Sequence, residues 1–257
     1  MQRLGLNNSF TGLEGVRGSV VRNPIQSPEI PGHTAVGDSN PCAPPGAPPR
    51  GPVVVPDIPC ELVSWERFYR LARQLARTLH NAGYYPDTIV AIARGGYIPA
   101  RILSDYLGVF DLAHIKIEHY RGARSERSAR IRYPLNADIC GRRVLLVDDV
   151  SDSGDTFDVA LRHLREHGSA AELRTAVLHH KRVSTFVPDY FAQEVVDWRW
   201  IIYPWAIMED LTGFLRDMVP PPDSVDAFAE FLLDRHGISV ERGTLEDVLK
   251  FTAGRGA

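Results

Sequence analysis

Residues 144–156, with the sequence VLLVDDVSDSGDT, combine residue types that can bind a phosphorylated sugar. A hydrophobic strand ends in two acidic residues, and a turn of small residues then leads into a helix. Backbone N–H groups and hydroxyls in such a turn can surround a phosphate, and the helix N-terminus adds a positive dipole. We therefore predict an anion-binding loop at residues 151–156, called the phosphate loop below. Its residues are Ser151, Asp152, Ser153, Gly154, Asp155 and Thr156.

Asp148 and Asp149 stand directly before this loop. Two carboxylates would repel a bare phosphate, so we interpret them as hydrogen-bonding sugar hydroxyls, directly or through Mg²⁺. Phosphate and diol recognition together indicate a phosphorylated ribose. A generic strand-to-helix turn capped by acids and hydroxyls explains Ser or Asp singly, but not the combined set. A Walker-type ATP loop is excluded because no Gly-Lys-Ser/Thr follows, and a dinucleotide fingerprint because its glycine spacing is absent.

The whole thirteen-residue pattern closely resembles the phosphoribosyl pyrophosphate (PRPP) signature of type I phosphoribosyltransferases. This resemblance covers roughly residues 62–215. It implies that Asp148, Asp149 and the phosphate loop bind PRPP, and that the two aspartates hold Mg²⁺ as a cofactor. Asp155 departs from what a phosphate site needs, and we expect its side chain to point away from the phosphate.

A second candidate segment, Arg94-Gly95-Gly96, directly follows the apolar run TIVAIA. The glycines allow close backbone approach, and Arg94 lies at the predicted sheet edge. In 6-oxopurine phosphoribosyltransferases, similar segments bind the pyrophosphate moiety, so the resemblance implies that role here. A simple glycine turn is the alternative.

The choice of base rests on Lys181 and on Trp200-Ile201, about twenty residues later. This arrangement resembles the bacterial and archaeal xanthine-guanine type. The resemblance implies that Lys181 donates to the oxygen at purine C6, that Trp200 stacks on the ring and that the Ile201 backbone meets the opposite edge. Bacterial members often place an acid directly after Pro-Trp, where this chain has Ala206, which weakens an assignment for xanthine. Lys181 as a surface charge, and the tryptophans as core or interface aromatics, remain alternatives.

The expected reaction joins PRPP to a 6-oxopurine such as guanine, hypoxanthine or xanthine, giving a nucleoside monophosphate and pyrophosphate. We assign catalysis to Asp152, which would handle the proton at purine N7, and to Lys181, which would stabilise charge on the oxygen. One alternative keeps the fold but uses adenine, a pyrimidine or orotate. Another is a PRPP-sensing regulator without catalysis, although no DNA-binding module supports it.

Apolar strand candidates alternate with helical ones, which predicts a mostly parallel α/β sheet flanked by helices, with a small hood after Lys181. A first helix is expected between an N-cap at Ser64 and a stop at Gly83. Strands are predicted over residues 88–93, 114–120, 142–150 and 173–180, and helices over 98–108 and 156–168.

The chain divides into three predicted regions. Residues 1–58 are rich in Pro and Gly, show no amphipathic period and are interpreted as disordered. Residues 59–218 would form the phosphoribosyltransferase domain, and residues 219–257 a helical extension with helices over 223–237 and 244–254. Residues 119–132 contain five arginines and resemble the family's mobile active-site loop, with a merely solvated basic loop as the alternative.

Bulk composition excludes several partners. The formal net charge of -3 gives no general attraction to nucleic acid or membrane, and every apolar run falls far short of the roughly 20 residues of a membrane helix. Three cysteines without metal spacing fit a reducing cytoplasm, where we expect this protein. The family is commonly oligomeric, so the resemblance implies a homodimer or higher homo-oligomer.

Overall fold

Residues 58–121 and 127–253 are described by the computed structural model. The strands are β1 Cys60–Leu62, β2 Thr88–Ala93, β3 Leu112–Arg121, β4 Arg127–Tyr133, β5 Arg143–Ser151, β6 Glu172–Lys181, β7 Tyr190–Val195 and β8 Trp200–Ile202. The helices are α1 Trp65–Asn81, α2 Tyr97–Leu107, α3 Asp155–His167, α4 Ile207–Asp217, α5 Val225–His236 and α6 Arg242–Ala253. The predicted disordered segment 1–58 lies, apart from Ile58, outside the described residues.

Six strands form the central sheet in the order β4-β3-β2-β5-β6-β7. Every neighbouring pair is parallel except β3 and β4, which form an antiparallel hairpin. The prediction of a mostly parallel sheet flanked by helices is therefore confirmed.

The continuous apolar runs of the central strands follow from burial on both faces. All six residues of β2 are buried, as are five consecutive residues of β5. Helices α1 and α2 pack with one set of strand side chains, and α3 packs with the other set. Strands covered in this way need no polar face, which is why they lack a period-2 pattern.

Three site segments follow neighbouring parallel strands. Arg94-Gly95-Gly96 follows β2, the phosphate loop begins at the last residue of β5, and Lys181 is the last residue of β6. Because β2, β5 and β6 are adjacent and parallel, their carboxyl ends meet at one edge of the sheet. Ligands of open α/β sheets bind at that edge.

The segment after Lys181 is divided between two sheets. Strand β7 extends the central sheet beside β6, so this strand is not part of the predicted hood. Strand β8 instead pairs in parallel with β1, so that Cys60 lies opposite Trp200. This two-stranded sheet and α4 pack against α5 and α6 through a third hydrophobic cluster, and we call these five elements the hood.

The predicted C-terminal helices are present, whereas the predicted arginine-rich loop is mostly strand. Helices α5 and α6 confirm the two predicted C-terminal helices, while the division at residue 219 remains a prediction. Most of segment 119–132 forms strands β3 and β4 rather than a loop, and residues 122–126 lie outside the described part. None of the helices in the described residues is long and apolar enough to span a membrane.

Candidate active site

The phosphate loop connects β5 to α3 through a turn that requires glycine. Gly154 caps α3 with a φ of 103°, which lies in the left-handed region. A Cβ there would also lie 2.8 Å from Thr185 Oγ1. Thr185 holds the turn from the other side, because its backbone N–H and its hydroxyl both donate to the Ser153 carbonyl, at 3.0 and 2.8 Å.

The loop lines a cavity of about 610 Å³, called the loop cavity below. All the predicted phosphate-binding residues line it, together with both aspartates of the acidic pair and two tryptophans: Asp148, Asp149, Ser151, Asp152, Ser153, Gly154, Asp155, Thr156, Trp198 and Trp200. The hydroxyl of Ser151 is turned into the protein, where it bonds Ser184 Oγ at 2.8 Å and the Phe186 carbonyl at 3.1 Å. Asp155 accepts a hydrogen bond from the Ser153 hydroxyl at 3.0 Å.

Asp148 and Asp149 lie at the end of β5 beside the backbone of the β2–α2 turn. Burial raises the pKa of both carboxyls, and the charge of Asp149 raises that of Asp148 further. A Cβ at Gly95 would lie 2.4 Å from Asp149 Oδ2, and one at Gly96 would lie 2.4 Å from the Val147 carbonyl. Both glycines are therefore required by close contact with β5.

Arg94 connects the central sheet to the hood. The Ala93–Arg94 peptide is cis, and the exposed guanidinium pairs with Glu209 of α4. Arg94, Gly95, Asp149 and Glu209 line a second cavity of about 490 Å³, the edge cavity. The edge cavity shares both aspartates of the acidic pair, Val150, Thr156 and Trp200 with the loop cavity, so the two form one cleft.

Lys181 is buried at the end of β6, with only 2 % of its side chain exposed. Its ammonium forms an ion pair with Asp152 Oδ2 at 2.8 Å. The same nitrogen lies 4.6 Å from the ring centroid of Trp198 and 5.8 Å from that of Trp200. The structure therefore brings the two predicted catalytic residues into direct contact under two aromatic rings.

Trp200 and Ile201 begin β8 and differ in exposure. Trp200 is 40 % exposed and lines both cavities, whereas Ile201 is buried in the core and lines only the edge cavity. The indole N–H of Trp200 donates to Asp210 Oδ1 at 3.1 Å. Burial, reinforced by the charge of Glu209, raises the pKa of Asp210 to about 6.

Comparison with known proteins identifies the family. A family-wide sequence profile described as the phosphoribosyl transferase domain matches residues 61–208. The chain belongs to this family. It is a phosphoribosyltransferase, an enzyme of the glycosyltransferase type.

Among its relatives, the xanthine-guanine phosphoribosyltransferase of Idiomarina loihiensis is 30 % identical over 155 residues, which are 59 % of this phosphoribosyltransferase and 92 % of the relative. That of Gluconobacter oxydans is 33 % identical over 144 residues, covering 56 % and 82 % of the two chains. The solved structure of a purine phosphoribosyltransferase from Pyrococcus horikoshii matches with a TM-score of 0.51 and 35 % identity, covering 57 % of this chain and 93 % of that one.

Several residues of the phosphoribosyltransferase site were not assigned a role from the sequence. The Tyr203 hydroxyl donates to the Asp149 carbonyl at 2.9 Å and lies 2.7 Å from His179 Nδ1. Burial lowers the pKa of His179 to about 4 and keeps it neutral. Because the Tyr203 hydrogen is bonded to the Asp149 carbonyl, the Tyr203 oxygen accepts the bond from His179, which therefore carries its proton on Nδ1. Trp198 and Asp210 likewise contact assigned residues. No motif marks these four positions, because their contacts arise from separate elements of the fold.

Proposed function

We propose that this phosphoribosyltransferase transfers the phosphoribosyl group of PRPP to a 6-oxopurine, giving a nucleoside 5′-monophosphate and pyrophosphate in purine salvage. The observation that supports the proposal most strongly is that one cleft combines a candidate phosphate loop with candidate base-binding residues. The phosphate loop lines it at one end, and Asp152, paired with Lys181, lines it together with Trp200. The purine relatives support the choice of base.

At the PRPP end, backbone N–H groups of the phosphate loop and the N-terminus of α3 would bind the 5′-phosphate. Asp148 and Asp149 would accept hydrogen bonds from the ribose hydroxyls. Gly95 and Gly96 would let the pyrophosphate approach the β2–α2 turn, where Arg94 supplies positive charge. Because Arg94 already pairs with Glu209, it would have to exchange that partner for pyrophosphate.

The acidic pair fits Mg²⁺. Carboxylate oxygens are the ligands this ion prefers, and it is commonly held by one or two of them together with water and substrate phosphates. A cation would also offset the repulsion between the two buried, neighbouring carboxylates. Bound Mg²⁺ would neutralise charge on the leaving pyrophosphate.

At the base end, Lys181 would donate to the oxygen at purine C6, which selects against an amino group there. Trp200 would stack on the ring, and the Ile201 backbone would meet its far edge. A ring nitrogen of the base would bond to ribose C1 as the bond from C1 to pyrophosphate breaks. The proton at purine N7 would pass to Asp152, while Lys181 stabilises charge on the oxygen.

A direct assay tests the proposal. Purified full-length protein is incubated with PRPP, Mg²⁺ and each of guanine, hypoxanthine, xanthine, adenine and uracil, and nucleotide and pyrophosphate are measured. We expect product with at least one oxopurine and little with adenine or uracil. Product only with adenine or uracil would overturn the base assignment. PRPP binding without product from any base would favour the non-catalytic regulator.

We further propose that the protein is a homodimer or higher homo-oligomer and acts in the cytoplasm. The free thiols of Cys60 and Cys140 agree with a reducing compartment. Light scattering of the purified full-length chain tests the assembly, and a mass equal to one chain of 28.6 kDa would contradict it.

A further inference from the structure

Trp198 contacts both proposed catalytic residues but has no role in the reaction described so far. It lies in the irregular link between β7 and β8, is 39 % exposed and lines the loop cavity. A tryptophan that only filled the core would be buried and would need no charged partners.

The indole N–H of Trp198 donates to Asp152 Oδ1 at 3.0 Å. The other oxygen of that carboxylate, Oδ2, is held by Lys181 Nζ at 2.8 Å. Each oxygen of Asp152 therefore has its own donor, which fixes both the position and the plane of the carboxylate. Without Trp198, only the hydrogen bond to Lys181 would remain, and the carboxylate could rotate about it.

The ring of Trp198 also covers the ammonium of Lys181, whose nitrogen lies 4.6 Å from the ring centroid. A buried ammonium needs compensation for lost water, which a carboxylate and an aromatic face both supply. The ammonium has three N–H donors, and the bond to Asp152 uses one of them. Lys181 can therefore keep its bond to Asp152 while it donates to the oxygen of a base.

We propose that Trp198 is a positioning residue that sets Asp152 and Lys181 as one unit for the incoming base. The inference rests on the proposed function, because it concerns the proton transfer assigned to Asp152. Trp200 has the separate task of stacking on the base, and its own N–H is bonded to Asp210. The two tryptophans therefore affect different kinetic constants.

The variant Trp198→Phe keeps an aromatic face for Lys181 but removes the N–H donor. We expect kcat to fall about ten-fold, because a hydrogen bond to a charged group is lost, while KM for the base changes less than three-fold. Phe cannot restore the donor, whereas Trp198→His offers a ring N–H and should recover part of kcat. Trp65→Phe, at an exposed position on α1, is the matched control and should leave both constants unchanged.

A double-mutant cycle shows whether Trp198 acts through Asp152. In an Asp152→Ala background, adding Trp198→Phe should change the remaining kcat less than two-fold, because the acceptor is already gone. An equal ten-fold loss in both backgrounds would overturn the proposal. So would a kcat within two-fold of wild type for Trp198→Phe alone, or a loss seen only in KM for the base.

A measurement without substrate separates this inference from the proposed function. The chain has four tryptophans, and the indole N–H resonance of Trp198 is the one that disappears from the ¹⁵N spectrum of Trp198→Phe. In Asp152→Ala this resonance should move further than that of Trp65. An unmoved resonance overturns the inference even if the enzyme makes nucleotide, whereas a wild-type protein that makes no nucleotide from any base overturns the proposed function instead.

Discussion

Asp152 and Lys181 form an ion pair whose two ends differ in exposure. The ammonium side chain is 2 % exposed, while 38 % of the carboxylate side chain is exposed. The acid can therefore reach a ligand in the cleft, whereas the ammonium proposed to bind the base is held by the protein interior. Such an arrangement keeps the donor geometry constant when the ligand binds.

The first prediction concerns proton transfer by Asp152. Replacement with Asn keeps the size of the side chain but leaves one oxygen acceptor for Lys181 or the Trp198 indole, and it removes the basic carboxylate. We expect kcat with an oxopurine to fall about 100-fold or more, because general acid–base catalysis contributes on the order of 10² to 10⁴ in rate. KM for PRPP should change only a few-fold in steady-state assays. A kcat close to wild type would remove Asp152 from the chemistry.

The second prediction concerns the contact between the β2–α2 turn and the acidic pair. Gly95→Ala places a Cβ about 2.4 Å from Asp149 Oδ2, so the carboxylate or the turn must move. We expect PRPP affinity, measured by calorimetry with Mg²⁺, to fall at least ten-fold. Gly213→Ala is the control, since nothing lies within 4 Å of its Cβ and it stands inside α4. That variant should bind PRPP normally and gain up to about 1 kcal/mol in helix stability.

At the residue scale the sequence could predict those site residues that belong to compact motifs. The acidic pair and the phosphate loop lie within nine consecutive residues, 148–156, so their joint chemistry is visible before folding. Trp198 and Asp152 are 46 residues apart, and Tyr203 and Asp149 are 54 apart. Local spacing cannot predict such pairs, because the fold of the elements between the two residues determines whether their side chains are in contact.

At the element scale, His179 on β6 supports the end of β5 through Tyr203, the residue directly after β8. It bonds Tyr203, which in turn bonds the Asp149 carbonyl. The network joins three segments behind the acidic pair. His179 is fully buried, so it must stay neutral for the network to persist.

The third prediction follows from the pKa of His179, which burial lowers from 6.5 to about 4. Between these values the unfolded chain takes up a proton and the folded chain does not, so His179 costs stability as the pH falls from 6.5 towards 4. The loss is on the order of 3 kcal/mol. Denaturant unfolding at several pH values should show a shallower decline for His179→Gln than for wild type. His80→Gln, at an exposed position, should follow the wild-type curve, and parallel curves for all three proteins would contradict the assignment.

Element prediction succeeded where burial is two-sided and failed for a charged edge strand and for two short strands that pair over a long sequence distance. Strands β2 and β5 are long apolar runs, and their type is evident from composition. Strand β4 is an edge strand rich in arginine, a charge pattern common at sheet edges but unlike an apolar strand. Strands β1 and β8 have three residues each and exist because they pair with each other.

At the scale of the whole molecule, the C-terminal helices are part of the framework of the proposed base site. Their cluster includes Ile202 of β8 and Leu211 of α4, both fully buried. Trp200 lies two residues before Ile202 in the same strand. Packing in the C-terminal region therefore determines where the proposed base-stacking ring lies.

The fourth prediction uses two adjacent leucines of α5. Leu232 is fully buried in this cluster, while Leu233 is 56 % exposed. Leu232→Ala should lower the free energy of unfolding by about 2–5 kcal/mol, because it leaves a cavity, and Leu233→Ala should change it little. Hydrogen exchange of Leu232→Ala should rise in β8 and α4 more than in β2 and β5. Equal effects of the two substitutions, or a rise confined to the central sheet, would contradict a separate hood core.

During synthesis on the ribosome, β1 is made long before β8, the strand with which it pairs. Cys60 lies opposite Trp200, so β1 cannot pair until a strand 140 residues later has been synthesised. By then every strand of the central sheet has been synthesised, and the phosphate loop with it. Long-range pairing of this kind is slow compared with local contacts. If the proposed site assignment holds, a nascent chain should be able to bind a sugar phosphate before it can distinguish one base from another.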